Sequence, residues 1–197
     1  MPSPPVDPRK AELRAHYRQL RRAHAAPLQR LLDHGAGGLL EQLLQTIGIQ
    51  PQQHVGLAWP LPGEPDLRRW LQASGRPLAL PAVAAQQLRY RPWRADQPLV
   101  PDACGIPAPP SGAGELAAAQ LGLLLIPALA MDRQGVRLGY GGGWYDRLRQ
   151  DPAWRRVPAL AVLPQACIAP QLPRDPWDVP LDGWLSEQGW HQLTPAQ

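Results

Sequence analysis

The residues best suited to chemistry lie in one glycine-rich segment, DRQGVRLGYGGGWYDR, which occupies positions 132–147. Within five positions of this segment stand four glycines: Gly139, Gly141, Gly142 and Gly143. Glycine has no side chain and adopts positive φ freely, so its backbone N–H groups can turn towards a ligand. Successive N–H groups of this kind form a concave anion site, and a helix that begins there adds the positive end of its dipole. The spacing therefore predicts a loop that holds phosphate groups.

Charged residues on both sides of this glycine loop (residues 139–143) favour the phosphate interpretation. Glycines alone are more typical of a flexible surface turn, but Arg137 precedes the loop and Asp146 follows it. A guanidinium and a carboxylate in these places suit a phosphate chain that carries a metal ion. The loop is not of the Walker A type, because no Gly-Lys-Ser/Thr follows it. Nor is it the dinucleotide-binding fingerprint, because Trp144 stands where that fingerprint has its third glycine.

The order of these residues resembles the signature of 5-formyltetrahydrofolate cyclo-ligases, also called 5,10-methenyltetrahydrofolate synthetases. An arginine, Leu-Gly, a glycine-rich turn, an aromatic pair and Asp-Arg follow one another between positions 137 and 147. The resemblance covers nearly the whole chain and is weakest between Ala84 and Gln120. It implies closure of 5-formyltetrahydrofolate to 5,10-methenyltetrahydrofolate, driven by ATP with Mg²⁺ and releasing ADP and phosphate. Phosphorylation of the formyl oxygen would activate the carbon that the neighbouring nitrogen then attacks.

The same resemblance assigns residues to the site. The ATP-binding set comprises three cations and the glycine loop with its neighbours: Lys10, Arg14, Arg137, Leu138, Gly139, Tyr140, Gly141, Gly142, Gly143, Trp144 and Tyr145. Among these, Lys10 and Arg137 would be catalytic, by neutralising charge on the transferring phosphoryl group. The folate-binding set is Glu64, Tyr140, Gly141, Gly142, Gly143 and Trp144. Asp146 and Asp182 would hold Mg²⁺, partly through water, because magnesium dehydrates reluctantly.

Several positions depart from the family pattern or allow a simpler interpretation. Cys104 stands where the family often has an aromatic residue, just before Gly105–Pro109, which resembles a segment that lines the folate pocket in the family. Trp177 replaces the histidine of a His-Asp-x-Pro-Leu-Asp motif, and the neighbouring Asp178 can equally cap a turn. Some family members have a lysine at the position of Gly142. One of the two aromatic residues after the loop can simply belong to the core.

The cations near the start of the chain have two interpretations. Lys10 is the only lysine in a chain without phenylalanine and with 26 prolines, a composition typical of GC-rich codons. Its presence favours a position that needs a compact ammonium group, although chance survival explains it as well. Lys10 and Arg14 lie one helical turn apart and can reach one phosphate group together. Arg18 and Arg21 are interpreted as a solvated basic face.

Two other classes of function fit parts of the sequence. A phosphosugar isomerase or a CoA-transferase-like protein would share the scaffold, but would need a carboxylate base and no ATP. The arginine, glycine loop and aspartate argue against it. A non-catalytic relative would bind folate or nucleotide, or use its basic surface on RNA. The combined presence of Lys10, Arg14, Arg137, Asp146 and Asp182 argues against lost catalysis.

Length, charge and cysteine content indicate which kinds of partner the protein can have. The 197 residues suit one domain, 1–197, and no apolar run reaches the ~18 residues of a membrane span. The first residues lack an apolar signal core, so we expect a cytoplasmic protein without a membrane partner. Cys104 and Cys167 have no metal-binding spacing and are expected to be reduced thiols. The net charge of +4 is scattered along the chain, so we expect small-molecule substrates, no nucleic acid, and a monomer.

Hydrophobic periodicity predicts the elements that position these residues. Helices are predicted at 8–25, at 27–47 with an interruption at Gly35–Gly38, from 64–66 onwards, and at 144–151. Strands are predicted at 54–59, 77–83, 88–93, 121–127 and 158–163. The most apolar of these, LGLLLIP at 121–127, is expected to be the central strand.

The alternation of strands and helices predicts the fold class, a single-domain three-layer α/β/α protein with a mostly parallel open sheet. Such sheets bind ligands beyond the carboxyl ends of their strands. Glu64 follows the first predicted strand and is placed for that role, although it also suits the first turn of a helix.

Overall fold

A computed structural model describes residues 8–34 and 38–193, which contain five α-helices and twelve short strands joined by turns, loops and short 3₁₀ helices. The helices are α1 (Pro8–Asp33), α2 (Leu39–Ile47), α3 (Arg68–Gln72), α4 (Trp144–Gln150) and α5 (Pro152–Arg155). The strands are β1 (His54–Gly56), β2 (Leu78–Ala84), β3 (Gln87–Trp93), β4 (Val100–Pro101), β5 (Pro107–Ala108), β6 (Leu121–Pro127), β7 (Ala130–Asp132), β8 (Arg137–Leu138), β9 (Ala159–Val162), β10 (Ile168–Ala169), β11 (Gly183–Ser186) and β12 (Gly189–Gln192). No helix within these ranges is long and apolar enough to cross a membrane.

Seven of the strands form the main sheet, in the order β12-β11-β9-β6-β1-β2-β3. The strands from β11 to β2 run parallel to one another. Strands β3 and β12 add one antiparallel strand at each edge. Two smaller sheets, β10-β7-β8 and β4-β5, lie outside it. The predicted α/β class with a mostly parallel sheet is confirmed.

The central strand β6 shows why helices must cover both faces of the sheet. Leu124 and Ile126 belong to one hydrophobic cluster, whereas Leu123 and Leu125 belong to a second one. All four side chains are at most 1% exposed. Because successive side chains of a strand point to opposite faces, a continuous apolar run needs a layer on each side. Helices α4 and α5 pack on the first cluster, and helices α2 and α3 on the second.

The first helix is longer than predicted. Helix α1 continues through Pro27 to Asp33, where the sequence predicted a boundary near residues 25–27. A proline inside a helix costs roughly 3 kcal/mol, but each buried leucine side chain gains roughly 1.5–3 kcal/mol. Beyond Pro27 the helix buries Leu28 and Leu32 almost completely against the second cluster, which outweighs that cost. The predicted interruption falls partly on residues 35–37, which lie outside the described residues, and α2 begins at Leu39.

The other boundaries follow local chemistry. Strands β2, β3, β6 and β9 lie within two residues of their predicted ranges, whereas β1 ends at Gly56 rather than at residue 59. Helix α3 begins at Arg68, later than the predicted 64–66. The residue before a proline is disfavoured in the helical conformation, so Pro65 keeps Glu64 out of the helix. Asp66 instead accepts a hydrogen bond from the Arg68 backbone N–H at 3.0 Å.

The strand order reverses between β1 and β6, and this reversal positions the site. From β1 the sheet extends through β2 to β3 on one side, and from β6 it extends through β9 to β12 on the other. Loops that leave the two strands therefore diverge and open a crevice at their carboxyl ends. The loop after β1 leads to Glu64, and β6 leads through β7 and β8 to the glycine loop.

Gly56 allows β1 to lie closely against its neighbours, which gives a test of the central packing. A Cβ atom at this position would lie 2.7 Å from the Tyr90 ring and 2.8 Å from Leu124. We expect Gly56→Ala to lower the free energy of unfolding by about 1–3 kcal/mol, the usual cost of overpacking. Gly112→Ala is the control, because a Cβ there meets nothing within 4 Å. Urea denaturation measures both, and equal stabilities of the two variants would contradict this packing.

Candidate active site

A cavity of about 560 Å³ opens at this crevice. Its size lies in the range of roughly 300–1,000 Å³ that small-molecule sites occupy. The cavity is lined by all but one of the residues that the sequence assigns to ATP, folate or metal: Lys10, Arg14, Glu64, Arg137, Leu138, Gly139, Tyr140, Gly141, Gly142, Gly143, Trp144, Tyr145 and Asp146. The exception is Asp182.

The glycine loop connects β8 to α4 in a conformation that needs glycine. Gly141 has φ +106° and Gly143 has φ +63°, values that side-chain-bearing residues rarely adopt. A Cβ atom on Gly142 would lie 2.7 Å from the Trp144 Nε1 atom. The Arg14 Nε atom donates a hydrogen bond to the Gly139 carbonyl oxygen at 3.0 Å, so α1 holds the start of the loop.

The two charged residues that flank the loop meet each other. The Arg137 Nη2 atom lies 3.0 Å from Asp146 Oδ2, and the Arg137 side chain is only 6% exposed. Arg137 also lies beside the Tyr145 ring, with its Cζ atom 5.4 Å from the ring centre. Tyr145 packs on the first hydrophobic cluster as well as lining the cavity. A paired guanidinium and carboxylate therefore form one wall of the cavity.

Lys10 is buried and is held by two carboxylates from the far end of the chain. Its Nζ atom lies 2.6 Å from Asp175 Oδ2 and 2.7 Å from Asp178 Oδ2. Burial lowers the pKa of Lys10, but hydrogen bonds and charge from Asp175 and Asp178 outweigh burial and raise the pKa above its ordinary value. Asp178 also accepts a hydrogen bond from the Asp175 backbone N–H at 2.8 Å, so it caps a turn as well. Sequence reasoning missed Asp175, although two aspartates in a short DPWD segment were a visible signal.

The interpretation of Arg21 as solvated is wrong, whereas Arg18 is exposed as expected. Arg21 is 3% exposed, and its Nη1 atom donates to the Tyr140 hydroxyl. The Tyr140 hydroxyl in turn donates to Glu64 Oε1. Positions 10, 14, 17 and 21 repeat at helical spacing and therefore share one face of α1. That spacing was the signal that could have placed Arg21 beside Lys10 and Arg14.

Asp182 does not line the cavity, whereas Asp146 does, and the partner of Asp182 is Arg149. The prediction that Asp146 and Asp182 hold one Mg²⁺ stays a prediction. The Asp182 Oδ2 atom lies 3.3 Å from Arg149 Nη2 and accepts a hydrogen bond from the Ala159 backbone N–H at 2.8 Å. Arg149 is 2% exposed, and a buried guanidinium needs a counter-charge, which Asp182 supplies. Within residues 8–34 and 38–193, no group of three or more His, Cys, Asp or Glu side chains is arranged to hold a metal ion.

Apolar side chains also line the cavity, and together they are called its apolar wall. They include Trp59, Val83, Leu88 and Ile106. Two of the positions that depart from the family pattern, Cys104 and Trp177, also line the cavity, and Trp177 is 42% exposed. A cavity lined by both apolar and cationic side chains suits a ligand set that combines a flat ring with phosphate groups.

Comparison with known proteins identifies the family of the chain. The model of the 5-formyltetrahydrofolate cyclo-ligase family matches residues 6–187. A 5-formyltetrahydrofolate cyclo-ligase of Haemophilus influenzae is 26% identical over 181 residues, which cover 88% of this chain and 95% of the relative. One from Mycolicibacterium smegmatis is 34% identical over 118 residues, which cover 49% of this chain and 56% of the relative.

Solved structures show the same fold. The 5,10-methenyltetrahydrofolate synthetase of Aquifex aeolicus superimposes with a TM-score of 0.73 at 26% identity, covering 95% of this chain and 94% of that one. The Mycoplasma pneumoniae synthetase, at 20% identity, superimposes with a TM-score of 0.65 over 90% of this chain and 98% of its own. The family match extends from before α1 through β11 and includes the glycine loop. The chain belongs to the 5-formyltetrahydrofolate cyclo-ligase family.

Proposed function

We propose that this enzyme uses ATP and Mg²⁺ to close 5-formyltetrahydrofolate to 5,10-methenyltetrahydrofolate, with ADP and phosphate as the other products. One observation carries the proposal. A glycine loop, the cations Lys10, Arg14 and Arg137, and an apolar wall face one cavity of about 560 Å³. Phosphoryl transfer to a folate requires these three features together, because the phosphate chain and the flat ring must meet in one place.

The reaction needs activation because the oxygen of a formyl amide is a poor leaving group. In the proposed first step, the formyl oxygen attacks the terminal phosphorus of ATP, and the bond from that phosphorus to ADP breaks. The neighbouring nitrogen of the folate then attacks the formyl carbon and loses its proton. Phosphate departs with the former formyl oxygen, and the ring is closed. Both steps depend mainly on positioning and on neutralising charge.

The residues of the chain divide this work. Backbone N–H groups of the glycine loop would bind phosphate oxygens, and Arg14 would hold both the loop and the phosphate chain. Lys10 and Arg137 would neutralise the transferring phosphoryl group. Lys10 is paired with Asp175 and Asp178. An incoming phosphate would therefore compete with these two carboxylates for its ammonium group.

Asp146 is the residue that would hold magnesium. Mg²⁺ is commonly bound by one or two carboxylates together with substrate phosphates, so one carboxylate beside a phosphate loop fits the ion. The Asp146 carboxylate lines the cavity with 17% of its side chain exposed. The ion would supply charge neutralisation on the phosphates when bound. Asp182 is left out of this role, because it neutralises Arg149 outside the cavity.

The folate would lie against the apolar wall. Glu64 and Tyr140, which share a hydrogen bond, would contact its polar edge. Trp59, Val83 and Ile106 would pack on its ring system. This arrangement would place the formyl group between the apolar wall and the cations.

The proposed reaction has a direct optical test. With 5-formyltetrahydrofolate and Mg-ATP, we expect the absorbance of the methenyl chromophore to grow in proportion to enzyme concentration. Omission of ATP, or removal of Mg²⁺ with a chelator, should stop it. Growth that is the same with and without Mg-ATP, or no growth at all, would overturn the proposal.

The glycine loop is tested by Gly141→Val. Valine is strained at φ +106°, so the loop should change shape and ATP affinity should fall by at least about tenfold. The residue is exposed, so the fold should remain. Gly112→Val is the control, because a Cβ there meets nothing within 4 Å. Calorimetric titration with ATP measures both variants, and parent-like affinity for Gly141→Val would remove the loop from the nucleotide site.

The metal assignment is tested by a matched pair of aspartate variants. Asp146→Asn keeps the shape but removes the charge, so the Mg²⁺ concentration for half-maximal rate should rise at least about tenfold, on the scale of ~1.4 kcal/mol. Asp182→Asn should keep the parent's magnesium curve and instead lower the melting temperature, because Arg149 loses its counter-charge. Rates titrated with Mg²⁺ at saturating ATP separate the two. A parent-like magnesium curve for Asp146→Asn, together with a raised Mg²⁺ requirement for Asp182→Asn, would instead assign the metal to Asp182.

A further inference from the structure

Arg21 is a buried cation that does not line the cavity. Its two partners, Tyr140 and Glu64, both line it. The Arg21 side chain is 4% exposed and that of Glu64 is 3% exposed. The Arg21 Nη1 atom lies 3.6 Å from Glu64 Oε1 and donates a hydrogen bond to the Tyr140 hydroxyl. A charge removed from water is costly unless it is paired. The packing of α1 therefore depends on both partners.

The direction of the hydrogen bonds in this cluster is fixed. A guanidinium can only donate, so the Tyr140 oxygen accepts from Arg21 and gives its own proton to Glu64. Burial, followed by the negative charge of Glu64, raises the pKa of Tyr140 above its ordinary value, so the hydroxyl keeps its proton at neutral pH. The other carboxylate oxygen of Glu64 accepts from the Leu61 backbone N–H at 2.8 Å. Both oxygens of Glu64 are thereby held in place.

The cluster joins three segments that are distant in sequence. Arg21 lies on α1, Tyr140 lies inside the glycine loop, and Glu64 lies on the loop after β1. Tyr140 has a glycine on each side, so its backbone neighbours offer few constraints. The Arg21 Cζ atom also lies 5.3 Å from the centre of the Tyr140 ring. The contacts of the Tyr140 side chain therefore fix this part of the glycine loop, because the flanking glycines have no side chains to do so.

We infer that Arg21 is a positioning residue, which holds Tyr140 and Glu64 in the orientation that folate binding requires. It acts through these two residues and contacts no ligand itself. The inference rests on the proposed function for the identity of the ligand. The positioning of the two loops is independent of that identity and is measurable without any ligand.

The ligand-free test is hydrogen–deuterium exchange on segments 138–143 and 61–64. Arg21→Met keeps an unbranched side chain but removes the charge, so exchange in both segments should be faster by about tenfold, the scale of one lost charge-assisted hydrogen bond. Arg21→Lys should restore most of the protection. Arg18→Met, on the exposed face of α1, is the matched control and should exchange as the parent does.

A second variant covers the case in which Arg21→Met does not fold. Tyr140→Phe removes only the hydroxyl that links Arg21 to Glu64, so it should speed exchange at 61–64 in the same way. In each variant the amides of β6 should exchange at the parent's rate, which separates local loosening from global unfolding. Parent-like exchange at 61–64 and 138–143 in Arg21→Met, or at 61–64 in Tyr140→Phe where Arg21→Met does not fold, would overturn the inference.

Kinetics test whether this positioning serves the reaction. Arg21→Met and Glu64→Gln should each lower kcat/KM for 5-formyltetrahydrofolate by at least about tenfold. The double variant should lose less than the product of the two single losses, because Arg21 acts partly through Glu64 and partly through Tyr140. Losses that multiply would show that Arg21 does not act through Glu64 and would overturn the inference. A parent enzyme without ATP-dependent turnover would instead overturn the proposed function, and the exchange result would then decide the positioning role alone.

Discussion

Cationic side chains on one face of helix α1 bind the segments that form the candidate site. Along one face of α1, Lys10, Arg14 and Arg21 each bind a different segment of the chain. Lys10 pairs with Asp175 and Asp178, Arg14 holds the Gly139 carbonyl, and Arg21 binds Tyr140 and lies beside Glu64. Because the buried charges of Lys10 and Arg21 leave water only when they are paired, α1 can pack on the sheet only when their partner segments lie against it. The packing of α1 thus positions the segments that line the cavity.

The sheet supplies the other half of the arrangement. Its strand order reverses between β1 and β6, so two loops diverge at the carboxyl ends of adjacent parallel strands. One of these loops carries Glu64, and the other leads to the glycine loop. Tyr140 and Glu64 meet across the crevice, although 76 positions separate them. A single hydrogen bond, from Tyr140 to Glu64, therefore joins the glycine loop, proposed to bind phosphate, to the loop that carries Glu64, proposed to bind folate.

Features with a local signal could be predicted from the sequence, and features that depend on distant partners could not. The glycine loop and the apolar strands β2, β3, β6 and β9 are each visible within a short window. Arg21 is separated by 119 positions from Tyr140, so its helical spacing from Lys10 and Arg14 could place it on their face of α1 but could not name its partner. Asp182 was assigned by resemblance alone, and its partner Arg149 lies 33 positions earlier. The continuity of α1 through Pro27 likewise depends on a core that forms only in the folded chain.

The most direct test of this account is a crystal structure of the protein with Mg²⁺ and a non-hydrolysable ATP analogue. The account predicts phosphate oxygens about 2.7–3.2 Å from backbone nitrogens of residues 139–143. It also predicts that the Lys10 ammonium turns from Asp175 and Asp178 towards the phosphates, and that Asp146 lies beside the metal. A nucleotide bound outside the cavity, or phosphates directed at the wall of Val83 and Ile106, would contradict it.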